Sequence, residues 1–155
     1  MTILFAYDGS ENADAAIKGS ASLLRNNNAE AVVLTVWEPL AVEAVRAMRF
    51  GGSVPPIPTD VAEIDDNEEE QAKQLAEHGA RIAGEAGFDS RALWVADDRR
   101  IADAIVQGAE ELDADVIVTG TRGLAGIAAV LGSVSSHVVQ QAKRPVLVVP
   151  RDGEG

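Results

Sequence analysis

The sequence contains no cysteine. That absence excludes disulfides, thiolate metal sites and cysteine nucleophiles, and it fits a reducing compartment. Two further features are missing: a membrane-spanning apolar run and the basic start of a signal peptide, because Met1 leads directly into a short apolar segment. We therefore expect a cytoplasmic protein that does not enter a membrane.

Basic residues are scarce. Thirteen lysines and arginines stand against 25 aspartates and glutamates, which gives a formal net charge of -12. Nucleic acids and anionic membranes are bound through clustered cations, so we expect neither as a partner. An anionic small ligand is compatible with this charge, because backbone N–H groups can bind an anion locally.

Histidine is rarer still, with His78 and His137 alone. No carboxylate or second ligand stands at metal-site spacing from His137, so we interpret both as surface helix residues. The acidic run at 65–70 has a similar interpretation: it is typical of the solvated beginning of a helix, where carboxylates are favoured, and not of a metal site.

What the sequence does contain is an alternation of apolar runs and amphipathic segments. The apolar runs predict five strands, over residues 2–8, 31–37, 90–95, 115–119 and 144–150. Helices are predicted between them, and their expected boundary residues are Ser10, Asp60 with Glu63 as a capping box, Asp98 and the terminating Gly87. The segment 38–58 has no sustained period, so we expect a long connection there with a short helical turn at 41–48.

Buried strands that alternate with helices are typical of a parallel sheet covered on both faces. A chain of 155 residues suffices for one domain, and folding at this size buries roughly 70% of the surface of the unfolded chain. We predict a single α/β domain over residues 1–150, with an open five-stranded sheet in the order 3-2-1-4-5. The tail at 151–155 is expected to fray.

The stretch TGTRGLAGIAAVLGSVSSHVV, Thr119–Val139, holds four glycines between the fourth strand and the last helix. Glycine lets the backbone approach a ligand closely, and Gly132 followed by Ser133 at a helix start offers free N–H groups at the positive end of the helix dipole. Ligands of open parallel sheets bind at the carboxyl ends of the strands where the winding reverses. Because Asp8 ends the first strand there, the pattern predicts a phosphate site; a plain flexible loop, with Asp8 as a helix cap, is the alternative.

Three segments together resemble the universal stress protein family over nearly the whole chain: ILFAYDGSENADAAI, VVLTVWEP, and GTRGLAGIAAVLGSVSSHVV followed by RPVLVVP. In members that bind ATP, the closing signature is Gly, two residues, Gly, nine residues, then Gly-Ser or Gly-Thr. Here eight residues separate Gly123 from Gly132. Both glycine ends are intact, but the sequence does not determine the path of the shorter loop over the phosphates.

The resemblance implies a nucleotide site. Ala6, Tyr7 and Asp8 would line the nucleotide, with Asp8 near the ribose or a bound Mg²⁺, and Val36 would contact the adenine. The glycine segment would hold the ribose and phosphates through Gly120, Gly123, Gly132, Ser133, Val134 and Ser135. Arg122 either reaches a phosphate or faces water.

From the resemblance we expect a stress-response regulator that binds ATP or another adenine nucleotide, with Mg²⁺ accompanying a triphosphate. It implies a homodimer through the strand near Pro145–Val149, whose apolar edge needs covering. The sequence offers no evident nucleophile, histidine base or Walker-type lysine, so any ATP hydrolysis is expected to be weak. The alternatives are a dimeric interaction module without nucleotide, which the shortened loop favours, and a slow Mg²⁺-dependent ATP hydrolase that uses Asp8.

Overall fold

The computed structural model describes residues 1–26, 28–52, 60–97, 99–121 and 131–151. Strands and helices alternate along the chain, with one additional helix between the second and third strands. In chain order they are β1 (Thr2–Ala6), α1 (Glu11–Leu24), β2 (Glu30–Trp37), α2 (Leu40–Arg49), α3 (Val61–Glu85), β3 (Asp89–Ala96), α4 (Ile101–Glu111), β4 (Val116–Gly120), α5 (Ser133–Gln141) and β5 (Val146–Val149).

The five strands form one parallel sheet in the order β3-β2-β1-β4-β5. The predicted fold class and strand order are therefore confirmed. Because the strands are parallel, all five end at the same edge of the sheet, called here the carboxyl edge. β1 lies between β2 and β4, so the winding of the chain reverses between β1 and β4.

Alternate side chains of the strands point to opposite faces of the sheet, as the pleat requires. On one face, called the α1–α3 face, Phe5 and Val33 pack with Ile17 and Ile82 of the covering helices. The opposite, α4–α5 face carries a second core cluster, which contains Leu4, Val32, Leu34, Ile105, Ile117 and Val138. Both faces are covered because each presents a continuous apolar surface that must leave water.

The beginning of α1 agrees with the prediction. Ser10 is its N-cap, with extended backbone, and its Oγ accepts a hydrogen bond from the N–H of Ala13 at 3.2 Å. Gly87 follows α3 with a φ of +98°, a conformation that only glycine adopts easily, and so marks the predicted end of that helix.

Of two further predicted caps, one lacks its capping hydrogen bond and the other lies outside the described residues. Asp60 stands at the N-cap of α3, but its φ of -109° and ψ of 37° are not extended, and its side chain makes no capping hydrogen bond. The capping box with Glu63 is therefore absent. At α4 the N-cap is Arg100, also without a side-chain cap, and Asp98 lies outside the described residues.

The connection after β2 is more ordered than predicted. α2 has ten residues, where only a short turn was expected, and the N–H of Leu40 at its start donates to Asp65 Oδ1 of α3 at 2.8 Å. Residues 53–59 of the same connection lie outside the described ranges. Among the described residues, no helix combines the length and apolar character needed to cross a bilayer.

Candidate functional site

The ends of β1, β2 and β4 lie side by side at the carboxyl edge. Ala6 is level with Leu34 of β2, and Phe5 is level with Val118 of β4. The chain therefore leaves β1 between the end of β2 and Gly120, the last residue of β4. This is the position where the winding reverses, and open parallel sheets bind ligands there.

Three of the predicted site residues share one face of the sheet. Ala6, Val36 and Val134 are all partly buried and pack against the apolar cluster of the α4–α5 face. Val36 is level with Val95 of β3, which packs against the same cluster. Beside the carboxyl edge, this face is therefore apolar, and it suits a flat apolar group such as a base.

Tyr7 points to the opposite face, where it belongs to the core of the α1–α3 side. Its hydroxyl donates to Asp14 Oδ1 at 2.6 Å, its N–H donates to Leu34 O, and its carbonyl accepts from Thr35 Oγ1. Burial and the neighbouring Asp14 carboxylate raise the pKa of the Tyr7 phenol far above its usual range. All its polar groups are thus engaged in the fold, and its side chain is not brought to the predicted crevice.

Asp8 follows β1 and is exposed at the carboxyl edge. Its Oδ1 accepts a hydrogen bond from the N–H of Ser10 at 2.9 Å, which stabilises the turn before α1. Gly9, within that turn, has a φ of +79° and packs so closely that a Cβ there would lie 2.5 Å from Leu75 Cδ2. Asp8 therefore shapes the turn while Ser10 caps the helix, and its carboxylate remains accessible to a ligand or metal.

Gly120 lies where β4 meets the first turn of α1. A Cβ at this position would lie 2.7 Å from the backbone oxygen of Asn12, closer than real carbon–oxygen contacts allow. Packing of the strand end against α1 therefore requires glycine here, whatever the ligand. This requirement was not part of the sequence-based prediction, which assigned Gly120 only to ribose and phosphate binding.

The hydroxyl of Ser135 is turned into the protein. Ser135 is 6% exposed, and its Oγ donates to the carbonyl of Gly120 at 2.8 Å and lies 2.7 Å from Thr119 Oγ1. These contacts fasten the first turn of α5 to the end of β4. The Ser135 hydroxyl is thus engaged within the protein, and its backbone N–H is the group through which it could hold a phosphate.

The first turn of α5 is the strongest anion-binding feature of this edge. Gly132 is its N-cap with extended backbone, and the first helical hydrogen bond runs from the N–H of Ser136 to Gly132 O at 2.9 Å. The N–H groups of Ser133, Val134 and Ser135 have no acceptor among the described residues. They lie at the positive end of the helix dipole, so they favour an anion such as a phosphate.

Part of the predicted site cannot be placed in this way. Arg122, Gly123 and all but the last residue of the shortened segment 124–131 lie outside the described residues. Within the described ranges, no group of three or more histidines, cysteines or carboxylates is placed to hold a metal ion. A Mg²⁺ ion carried by a nucleotide would need fewer protein ligands, because phosphates and water supply the rest.

Sequence reasoning missed buried polar groups at this edge. Asp97, directly after β3, is 7% exposed, and its Oδ2 has no hydrogen-bond partner among the described residues. Thr121, directly after β4, is 5% exposed, and its Oγ1 is also unpartnered within those ranges. Each follows an apolar strand at its carboxyl end, but that position is a weak signal in the sequence, and only burial distinguishes these two residues.

Comparison with known proteins gives a uniform result. Residues 1–150 match the model of the universal stress protein family. A universal stress protein of Thermus aquaticus, encoded in the QAH/OAS sulfhydrylase 3′ region, is 32% identical over 154 residues, which cover 96% of this chain and 97% of that protein.

Solved structures match over similar lengths. The universal stress protein of Archaeoglobus fulgidus in complex with dAMP superposes with a TM-score of 0.65 at 24% identity, covering 96% of this chain and 97% of that one. A universal stress protein family protein from Arabidopsis thaliana with AMP bound has a TM-score of 0.63 at 19% identity, covering 98% and 92%.

Proposed function

The chain belongs to the universal stress protein family, and we propose that it binds an adenine nucleotide at the carboxyl edge, between β1 and β4, as part of a regulatory role in the stress response. The phosphates lie at the beginning of α5, and the base lies on the α4–α5 face beside Val36 and Ala6. Complexes of similar folds with dAMP and AMP support this choice of ligand.

One observation carries the proposal: within the described part of the chain, the N–H groups of Ser133, Val134 and Ser135 have no acceptor, and they stand at a helix start that is fixed to the strand end. The 2.8 Å hydrogen bond from Ser135 Oγ to Gly120 O holds this turn against β4. A preorganised set of donors costs little to order when the anion arrives. It binds phosphate without a lysine, which suits a chain with a net charge of -12.

The preferred ligand in this proposal is ATP with Mg²⁺. Asp8 is the carboxylate that fits the ion, because it is exposed at the carboxyl edge and one of its oxygens already accepts from the Ser10 N–H. Bound Mg²⁺ would offset the repulsion between Asp8 and the phosphates. A monophosphate needs no such ion, so Mg²⁺ should strengthen ATP binding and leave AMP binding unchanged.

The nucleotide is proposed to be a regulatory ligand and not a rapidly turned-over substrate. His137 is one turn into α5, but its Nε2 lies 3.1 Å from Asp103 Oδ1 on α4 and is engaged there. Asp8 and a bound Mg²⁺ ion would by themselves support only slow ATP hydrolysis. Replacing Asp8 by Asn separates the two roles, since hydrolysis should fall much more than AMP binding.

We also propose a homodimer through β5. The residues Val146–Val149 are all half-buried, and β5 is the last strand of the sheet. An edge strand of this apolar character is stabilised by a second copy that covers it. Binding at α5 would be transmitted to the dimer contact through the short connection from α5 to β5.

The proposal is tested by calorimetric titration of folded, nucleotide-free protein with ATP and AMP, with and without Mg²⁺. We expect saturable binding of one nucleotide per chain, and a gain from Mg²⁺ for ATP alone. Absence of heat at millimolar concentrations of both nucleotides would reject the nucleotide role. A dimeric interaction module without ligand, which the shortened glycine loop favours, would then be the better account.

A further inference from the structure

A buried carboxylate at the carboxyl edge has no role in the site described so far. Asp97 is the first residue after β3, and its N–H donates to Trp37 O at 3.0 Å. This hydrogen bond belongs to the last pair of the β2–β3 ladder, Trp37 with Ala96, so the backbone N–H of Asp97 is still held by the sheet. The side chain is only 7% exposed, and Oδ2 has no hydrogen-bond partner in the described part of the chain.

Continued alternation after β3 is expected to bring Asp97, two residues after Val95, to the same face as the proposed base site. Leu93 and Val95 pack against the cluster of the α4–α5 face, and side chains two residues apart share a face. Asp97 continues this series. Val36, the residue proposed to contact the base, is level with Val95 and packs on the same face. Asp97 comes two residues after Val95, toward the carboxyl edge.

A buried carboxylate oxygen without a partner, such as Asp97 Oδ2 in the described part of the chain, is costly unless something donates to it. An ionised carboxylate is only an acceptor, and its desolvation is not compensated until a donor arrives. An adenine base carries a 6-amino group with two N–H donors, whereas a 6-oxopurine presents an oxygen at the same position. The two bases would therefore meet Asp97 with opposite polarity.

We propose that Asp97 is a specificity-determining residue, whose Oδ2 accepts a hydrogen bond from the 6-amino group of the bound base and disfavours a 6-oxopurine. The inference rests on the proposed function, because it assigns a role within the same nucleotide site. It adds a selection for the base that the apolar side chains of Val36 and Ala6 cannot supply. Apolar contacts hold purines of similar shape almost equally well.

Three nucleoside monophosphates isolate this contact: AMP, IMP and purine riboside 5′-monophosphate, which lacks any group at the 6 position. Their phosphates and riboses are identical, so they share every contact with α5. Loss of a hydrogen bond to a charged group weakens binding by about tenfold to hundredfold. We expect the wild-type chain to prefer AMP to each of the others by that factor, measured by calorimetry.

Two matched variants test whether Asp97 is the origin of the preference. In Asp97→Asn the amide can donate to the oxygen of IMP, so the ratio of AMP to IMP affinity should fall by about tenfold or more. Asp89→Asn makes the same chemical change at the exposed opposite end of β3 and should keep the wild-type ratio. A ratio of two affinities is unaffected by a general loss of stability.

The outcomes separate this inference from the proposed function. Binding of all three nucleotides with similar affinity by the wild type would overturn the role of Asp97 and leave the nucleotide site standing. An unchanged AMP preference in Asp97→Asn would do the same. No binding of any nucleotide to folded wild-type protein would overturn both. If Asp97→Asn does not fold, Asp97→Ser takes its place, and an unchanged preference for AMP over purine riboside 5′-monophosphate in that variant would overturn the role of Asp97.

Discussion

Placing a negative charge at the beginning of α5 should weaken nucleotide binding strongly without unfolding the protein. Ser133 is exposed and is the first residue of α5. In Ser133→Glu, the added carboxylate stands at the position proposed for the phosphate. It also stands at the helix end where an acidic residue is favourable, which contributes about 0.3–1 kcal/mol to helix stability.

The size of the effect follows from the charges. Two unit charges about 4 Å apart interact by about 1 kcal/mol in bulk water and about 4 kcal/mol near a protein surface. AMP carries close to two negative charges on its phosphate, so the lower limit is about 2 kcal/mol. That repulsion weakens AMP binding roughly thirtyfold, and salt should reduce it because exposed charges are screened.

Calorimetric titration with AMP measures the affinity, and thermal unfolding measures the stability of the same samples. The control is Gln140→Glu, which adds the same charge at an exposed position in the last turn of α5. We expect wild-type AMP affinity in the control, and an unchanged or raised midpoint temperature in Ser133→Glu. Folded Ser133→Glu that binds AMP as the wild type does would refute the placement of the phosphate at this helix.

Three further changes test the surrounding structure. Ser135→Ala should lower the free energy of unfolding by about 1–3 kcal/mol in urea titrations, because the hydrogen bond to Gly120 O is lost. AMP binding should weaken only as far as the first turn of α5 loosens; a large loss of affinity at unchanged stability would contradict the backbone role. Tyr7 keeps its proton in the folded state above pH 10, where the unfolded phenol loses it, so stability should fall with rising pH by about 1.4 kcal/mol per pH unit. Tyr7→Phe should lack this component, and identical alkaline slopes in the two proteins would contradict the engagement of the phenol with Asp14. Val148→Pro should give monomers in light scattering. The Pro145 carbonyl accepts from the Ile117 N–H of β4, and backbone groups alternate in direction along a strand, so the N–H of Val148 points away from β4 and toward the proposed partner. A dimer that persists would place the contact elsewhere.

The strands and their order were predictable because a strand buried on both faces appears in the sequence as a continuous apolar run. Runs such as ILFA and AVVL are apolar at every position, which an amphipathic surface strand is not. Ser10 was predictable for a local reason, since an N-cap is decided within one turn. Asp60 has the same type of side chain at an N-cap, yet its backbone is not extended there, and a pattern of residue types does not report backbone angles.

The position of the site at the carboxyl edge was predictable from the sequence, but the directions of its side chains were less so. The glycine segment and Asp8 indicated the carboxyl edge, because sheet topology alone brings those chain segments together. The direction of the Ser135 hydroxyl depends on how α5 packs on β4, which involves Gly120, fifteen positions earlier. Tyr7 was assigned to the ligand by its position in a motif, but the pleat turns its side chain to the opposite face. Asp97 was missed because a single acidic residue after a strand is common, and only its burial distinguishes it.

The most direct test of the account is a titration of isotope-labelled protein with AMP, followed through the backbone amide resonances. The account predicts that the amides of Ser133, Val134 and Ser135 shift most, together with Val36, and that the shifts saturate at one AMP per chain. Shifts that saturate elsewhere and leave the first turn of α5 unchanged would contradict the proposed phosphate site. An unchanged spectrum at millimolar AMP would contradict nucleotide binding altogether.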